Sequence, residues 1–99
     1  MIIGGTPTHV FNFPIDCSLL TDILITYKQG GKTVLEKHIK DGFGDNNEIM
    51  VRLTQEETLM FNQSTTVEIQ LKVKTLGGEV IPSEVIYDAP SRCLSEVIL

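Results

Sequence analysis

The stretch Thr66-Val-Glu-Ile-Gln-Leu-Lys-Val-Lys-Thr75 decides the fold. Val67, Ile69, Leu71 and Val73 point one way, and Glu68, Gln70, Lys72 and Lys74 the other. A period of two is the mark of a half-buried strand; a helix would scatter these residues around its circumference. Gly77-Gly78 follows, and two glycines between β-like runs suit a two-residue hairpin turn at positive φ. The return run, Glu79–Tyr87, is interrupted by Pro82. Proline donates nothing to a ladder, which places this run at a sheet edge or bulges it.

The same device occurs earlier. Asp22–Gln29 reads as a strand with Ile23, Ile25 and Tyr27 on one face. Gly30-Gly31 is its turn, and Lys32–Ile39 its partner, with Val34, Leu35 and Ile39 apolar. Thr8–Ile15 reads as the first strand, with Phe11, Phe13 and Ile15 sharing a face and His9 in line. Pro14 again marks an edge or a strand end. Glu48–Leu53 is another strand, with Ile49, Val51 and Leu53 inward. Thr54-Gln55-Glu56-Glu57 is a capping box that starts one or two helical turns before Asn62, and Leu59, Met60 and Phe61 supply its apolar contact. Six strands in 99 residues, joined by hairpins and one helical crossing, predict an all-β, immunoglobulin-like antiparallel two-sheet sandwich with one short helical turn. The length predicts a single domain over 1–99, with an N-terminal arm (1–5) and an apolar tail (93–99).

Eight Lys and Arg against thirteen Asp and Glu give a net charge of −5. The cations are scattered, so neither nucleic acid nor an anionic membrane surface is expected as a partner. No apolar run approaches a membrane span, and Met1-Ile2-Ile3-Gly4-Gly5 lacks the basic region of a signal peptide. A protein made in a cytosol is therefore expected, one that stays there or leaves inside a particle. In that compartment Cys17 and Cys93 are expected as free thiols, a disulfide between them being the alternative.

Catalytic and metal signatures are weak. Asp41, Asp45, Asn46, Asn47 and Glu48 form an oxygen-rich loop, but their spacing fails that of an EF-hand and suits a solvated turn. His9 and His38 have no zinc-like spacing to another ligand. The chain has no nucleophile elbow and no phosphate-cradling glycine loop. The expectation is a non-enzymatic protein with no catalytic residue, no metal, no cofactor and no small-molecule substrate.

The candidate contact residues are Ile2, Ile3, Phe43, Val97, Ile98 and Leu99. Chain ends are normally polar and frayed, whereas Cys93-Leu-Ser-Glu-Val-Ile-Leu99 is rich in large aliphatics. Such a segment docks on its own sandwich, or on a neighbouring subunit by strand addition or groove filling. Phe43, flanked by glycines, is either an exposed contact or a plug over the open end of the sandwich. An alternative role is an accessory module recognising a cell-surface glycan or protein through Phe43, Tyr27 and the Asp41–Asn47 loop.

Thr6-Pro-Thr-His-Val-Phe-Asn-Phe-Pro14 resembles the opening strand of the N-terminal immunoglobulin-like domain of phage upper-baseplate proteins. Val51-Arg-Leu-Thr-Gln-Glu-Glu-Thr-Leu-Met-Phe61 is similar to that family's capped turn, and Val67-Glu-Ile-Gln-Leu71 with Gly77-Gly-Glu-Val80 to its following strand and hairpin. The resemblance covers most of 6–86; Ser64-Thr65-Thr66 stands where that family usually has a glycine. It implies a structural protein of a phage or prophage tail module, a homo-oligomer in contact with other tail and baseplate proteins. Such a protein is assembled in the bacterial host cytoplasm and then resides in the virion.

Overall fold

A computed structural model describes residues 1–39 and 47–99. In chain order the elements are β1 (Thr8–Asn12), a 3-10 turn (Cys17–Leu19), β2 (Leu20–Gln29), β3 (Lys32–Ile39), β4 (Glu48–Arg52), α1 (Gln55–Leu59), β5 (Val67–Thr75), β6 (Val80–Pro82) and β7 (Ile86–Asp88). The fold is the expected all-β, antiparallel two-sheet sandwich with one short helical turn. The sheets are unequal: β1 and β4 form a pair, while β3-β2-β5-β6 form the larger sheet, with β7 also on β5.

Alternation sets which side chains are buried. Ile23, Ile25 and Tyr27 of β2 and Val67, Ile69, Leu71 and Val73 of β5 face the smaller sheet. Phe11 and Phe13 on one chain segment and Ile49, Val51 and Leu53 on the other answer them. Each such side chain contributes about 1.5–3 kcal/mol on burial.

The turns follow glycine stereochemistry. Gly30 (φ 56°) and Gly31 (φ 79°) form a two-residue turn between the paired Gln29 and Lys32, the left-handed combination that matches strand twist. At the second hairpin the expected two-residue turn gives way to three residues, Leu76–Gly78. The Thr75 amide donates to the Glu79 carbonyl, and Gly78 alone takes the left-handed conformation, at φ 86°.

Two strand assignments are also corrected. β1 stops at Asn12, although the Phe13 amide still bonds the Asn47 carbonyl at 2.8 Å; Pro14 ends the ladder. The return run splits in two, which makes seven strands of six. Pro82 pairs with Lys72, and Ile86 with Ile69. Between these pairs three residues on the outer strand (83–85) thus oppose two on β5 (70–71), a one-residue bulge. Ser83 holds it, its hydroxyl accepting from the Leu71 amide at 3.0 Å and its amide donating to the Leu71 carbonyl.

On the β3–β4 side the sandwich is closed by Lys37. This residue sits opposite Ile25, on an inward position, and its ammonium reaches the Arg52 carbonyl (3.0 Å) and Glu57 Oε1 (2.9 Å). The capping box is present in both directions, Thr54 Oγ1 accepting from the Glu57 amide and Glu57 Oε1 from the Thr54 amide. Partial burial pushes Glu57 upward, but the Thr54 amide and the Lys37 ammonium outweigh it and hold the carboxyl below its ordinary range. Phe61 joins the core, while Met60 is exposed. Removing the cap in Thr54→Ala should lower stability by about 0.5–2 kcal/mol. Urea denaturation reads this directly, and an unchanged midpoint would mean that the cap does not hold α1.

Candidate interaction surface

On the opposite side, between β1 and the β6–β7 edge, the two sheets stand apart. Among the described residues β1 pairs only with β4, and β6 and β7 only with β5, so both walls are strand edges that no other described strand covers. Two adjoining cavities of about 380 and 440 Å³ lie between them and share Asn12, Phe13, Ser83 and Ile86. Ile69 and Leu71 form the floor, with Phe11 and Phe13 beside them. The backbone of this wall is partly unpaired. Pro7 and Phe13 bond toward β4, so in an antiparallel ladder the alternate residues Thr8, Val10 and Asn12 turn their amides and carbonyls to the free side. Pro14 and Pro82 line one end of the cleft, where their missing N–H groups blunt the edges.

At the other end lies a polar corner. His9 Nδ1 is 3.0 Å from the Tyr27 hydroxyl, and Asp88 Oδ2 lies 3.8 Å from His9 Nε2 and 2.8 Å from the Met1 amino group. His9 Nε2 is buried without a hydrogen-bond partner. Burial lowers the His9 pKa and outweighs the upward pull of Asp88, while the Met1 ammonium adds to the lowering. Burial likewise raises Tyr27 above the ordinary phenol range, with Glu57 and Asp88 adding to it. The phenol and imidazole are thus both neutral at pH 7, a packed polar corner.

A histidine whose folded pKa is depressed takes its proton more readily in the unfolded chain. Its stability contribution is therefore full above the unfolded value of about 6.5 and is lost as pH falls toward the folded value. Stability should decline between pH 7.5 and 5.5, and the decline should be shallower in His9→Gln. Denaturation midpoints at the two pH values check this; equal slopes would remove His9 as the cause.

The chain ends meet beside α1. Thr58 is fully buried; its hydroxyl accepts from the Gly4 amide at 3.0 Å and lies 3.1 Å from the Gly5 carbonyl. Gly4 adopts φ +79°, and a Cβ there would sit 2.8 Å from Cys93 Sγ, so only glycine fits. This anchoring corrects one expectation: Ile3 is 1% exposed and belongs to the core, so it offers no outward contact. Ile2 is 64% exposed, its backbone bridged to Ser91.

The C-terminal segment is tethered but not packed. Cys93 exchanges hydrogen bonds with the Gln63 side chain, and the Leu99 amide donates to Gln55 Oε1 at 3.0 Å. Beyond Cys93 no regular element forms. Val97 is 70% exposed, Ile98 44%, and Leu94 and Leu99 more still. Neither cavity of the cleft is lined by this segment. Cys17 and Cys93 are free thiols, Cys17 donating to the Glu48 carbonyl.

Tyr27 is fully buried against Phe61, so it is removed from the surface-binding alternative. Phe43 and loop residues 41–46 lie outside the described residues. Asn47 is a structural tie, its side-chain amide donating to the Phe13 carbonyl at 2.8 Å. Among the described residues no three His, Cys, Asp or Glu side chains group to hold a metal, and no helix is long and apolar enough to cross a membrane. The cleft is the feature that sequence reading missed; Pro14 and Pro82, which mark its two walls, were its one signal. The chain matches no protein-family model, no curated protein and no solved structure.

Proposed function

We propose that this chain is a non-enzymatic structural and assembly protein of a phage or prophage tail, of baseplate type. It works through contacts between copies of itself and with other tail proteins. One observation carries the assembly part: an apolar segment, Leu94–Leu99, lies exposed on a sandwich that also has an open apolar cleft with free strand edges. Burial of such a segment is favourable, and free edges are templates for pairing. The phage setting rests on the resemblance in the opening strand, the capped turn and the β5 hairpin. The protein is placed in the host cytoplasm during assembly and in the virion tail afterwards.

The test is immuno-electron microscopy. Particles released from the source bacterium after prophage induction are labelled with antibody raised against this chain. Label on the tail or baseplate is the expected result. Particles that form normally and carry no label would overturn the phage reading.

A further inference from the structure

We infer that the cleft between β1 and the β6–β7 edge receives residues 94–99 of a second copy of this chain, in a reciprocal pair. This deepens the assembly reading and rests on it. Two observations point to the occupant.

The first is chemistry. Among the described residues the smaller sheet has two strands, and its β1 edge offers the backbone of Thr8, Val10 and Asn12. Added there as a strand, the segment turns Ser95, Val97 and Leu99 down onto Ile69, Leu71 and Ile86, and leaves Leu94, Glu96 and Ile98 on the outer face, because alternate side chains face opposite ways.

The second is area. Leu94, Val97, Ile98 and Leu99 are 89%, 70%, 44% and 101% exposed. A stable interface buries roughly 1,200–2,000 Å² in all, which in a reciprocal pair asks for about 300–500 Å² from each tail and as much from each cleft. The segment's own tether, the Gln55–Leu99 hydrogen bond, is surface-exposed and readily exchanged. An isologous pair also closes on itself and leaves no free cleft.

The test is cross-linking between full-length chains in which Cys93→Ser removes the outer thiol. One chain carries Tyr87→Cys, at the cleft wall, and the other Val97→Cys. Mixed and oxidised with diamide, they should give a mixed disulfide at least about tenfold above a control pairing of Val97→Cys with Lys28→Cys, since effective concentration is set by proximity. In parallel, Val97→Asp should raise the dimer Kd more than about 100-fold and should melt like the parent at a concentration low enough for both to be monomeric, and Glu96→Gln should leave Kd alone. Cross-linking no better than the control overturns the inference. So does a Val97→Asp chain that pairs like the parent, or one that melts earlier and is monomeric alongside a monomeric parent, which would place the segment on its own sandwich. Labelled particles with a monomeric chain would sink this inference and leave the assembly reading standing; a dimer that never labels particles would do the reverse.

Discussion

Leu71→Ala is expected to lower stability by about 2–5 kcal/mol, the range for truncating a buried leucine that leaves a cavity. Leu71 is 1% exposed, at the middle of β5. It lies between Ile25 on β2 and Ser83 at the bulge, the latter bonding its backbone twice. The loss is a large part of the roughly 5–15 kcal/mol that holds a small domain folded. Urea titration would show a lower midpoint at an unchanged slope. Lys72→Ala, one residue along on the outer face, is exposed and should stay within about 0.5 kcal/mol of the parent. Similar losses at the two positions would contradict the assignment of faces on β5.

Gln29→Ala should cost a comparable amount, about 2–5 kcal/mol, because it orphans backbone groups that the fold has largely removed from water. Gln29 is a buried polar side chain at the end of β2. Its Nε2 donates to the Asn62 and Thr65 carbonyls, both at 2.8 Å, and its Oε1 accepts from the Asn62 amide at 2.8 Å. The side chain thus clips the segment between α1 and β5 to the hairpin. Gln29→Glu is the informative companion. A carboxylate can still accept from the Asn62 amide, but it faces two carbonyls it cannot bond. It should therefore be no more stable than Gln29→Ala at pH 7. A Gln29→Glu chain as stable as the parent would show that water enters this site.

These two residues mark what sequence reading reaches. Leu71 was legible as core because alternation is a local property of one strand. The Gly30-Gly31 turn and the Thr54–Glu57 box were legible for the same reason, since each is written within four residues. The Gln29 clip was not, because it joins groups more than thirty positions apart and a lone glutamine carries no pattern. The burial of Ile3 was hidden in the same way. It depends on Thr58, Gly4 and Cys93 meeting beside α1, and locally Ile3 reads like Ile2. Pro82 announced a disturbed edge, but the bulge that brings Ile81 and Ile86 to the same side needs the register against β5.

The candidate site was half legible. Composition alone singled out the C-terminal aliphatics, and exposed is how Val97, Ile98 and Leu99 stand. The surface that could receive them is made from two strand edges far apart in sequence, one in β1 and one across β6 and β7. No spacing rule predicts which edges a sandwich leaves open. Tyr27, a surface contact only in the alternative role, lies in the interior as its shared face with Ile23 and Ile25 implies, its hydroxyl 3.0 Å from His9 Nδ1.

Sedimentation equilibrium on the full chain, over concentrations from about 1 to 300 µM, tests the central claim most directly, because a Kd in that range is readily resolved. The account predicts a species of twice the 11.0 kDa chain mass that returns to monomer in Val97→Asp. A full chain that stays at 11.0 kDa throughout, with Val97→Asp indistinguishable from it, would contradict the account.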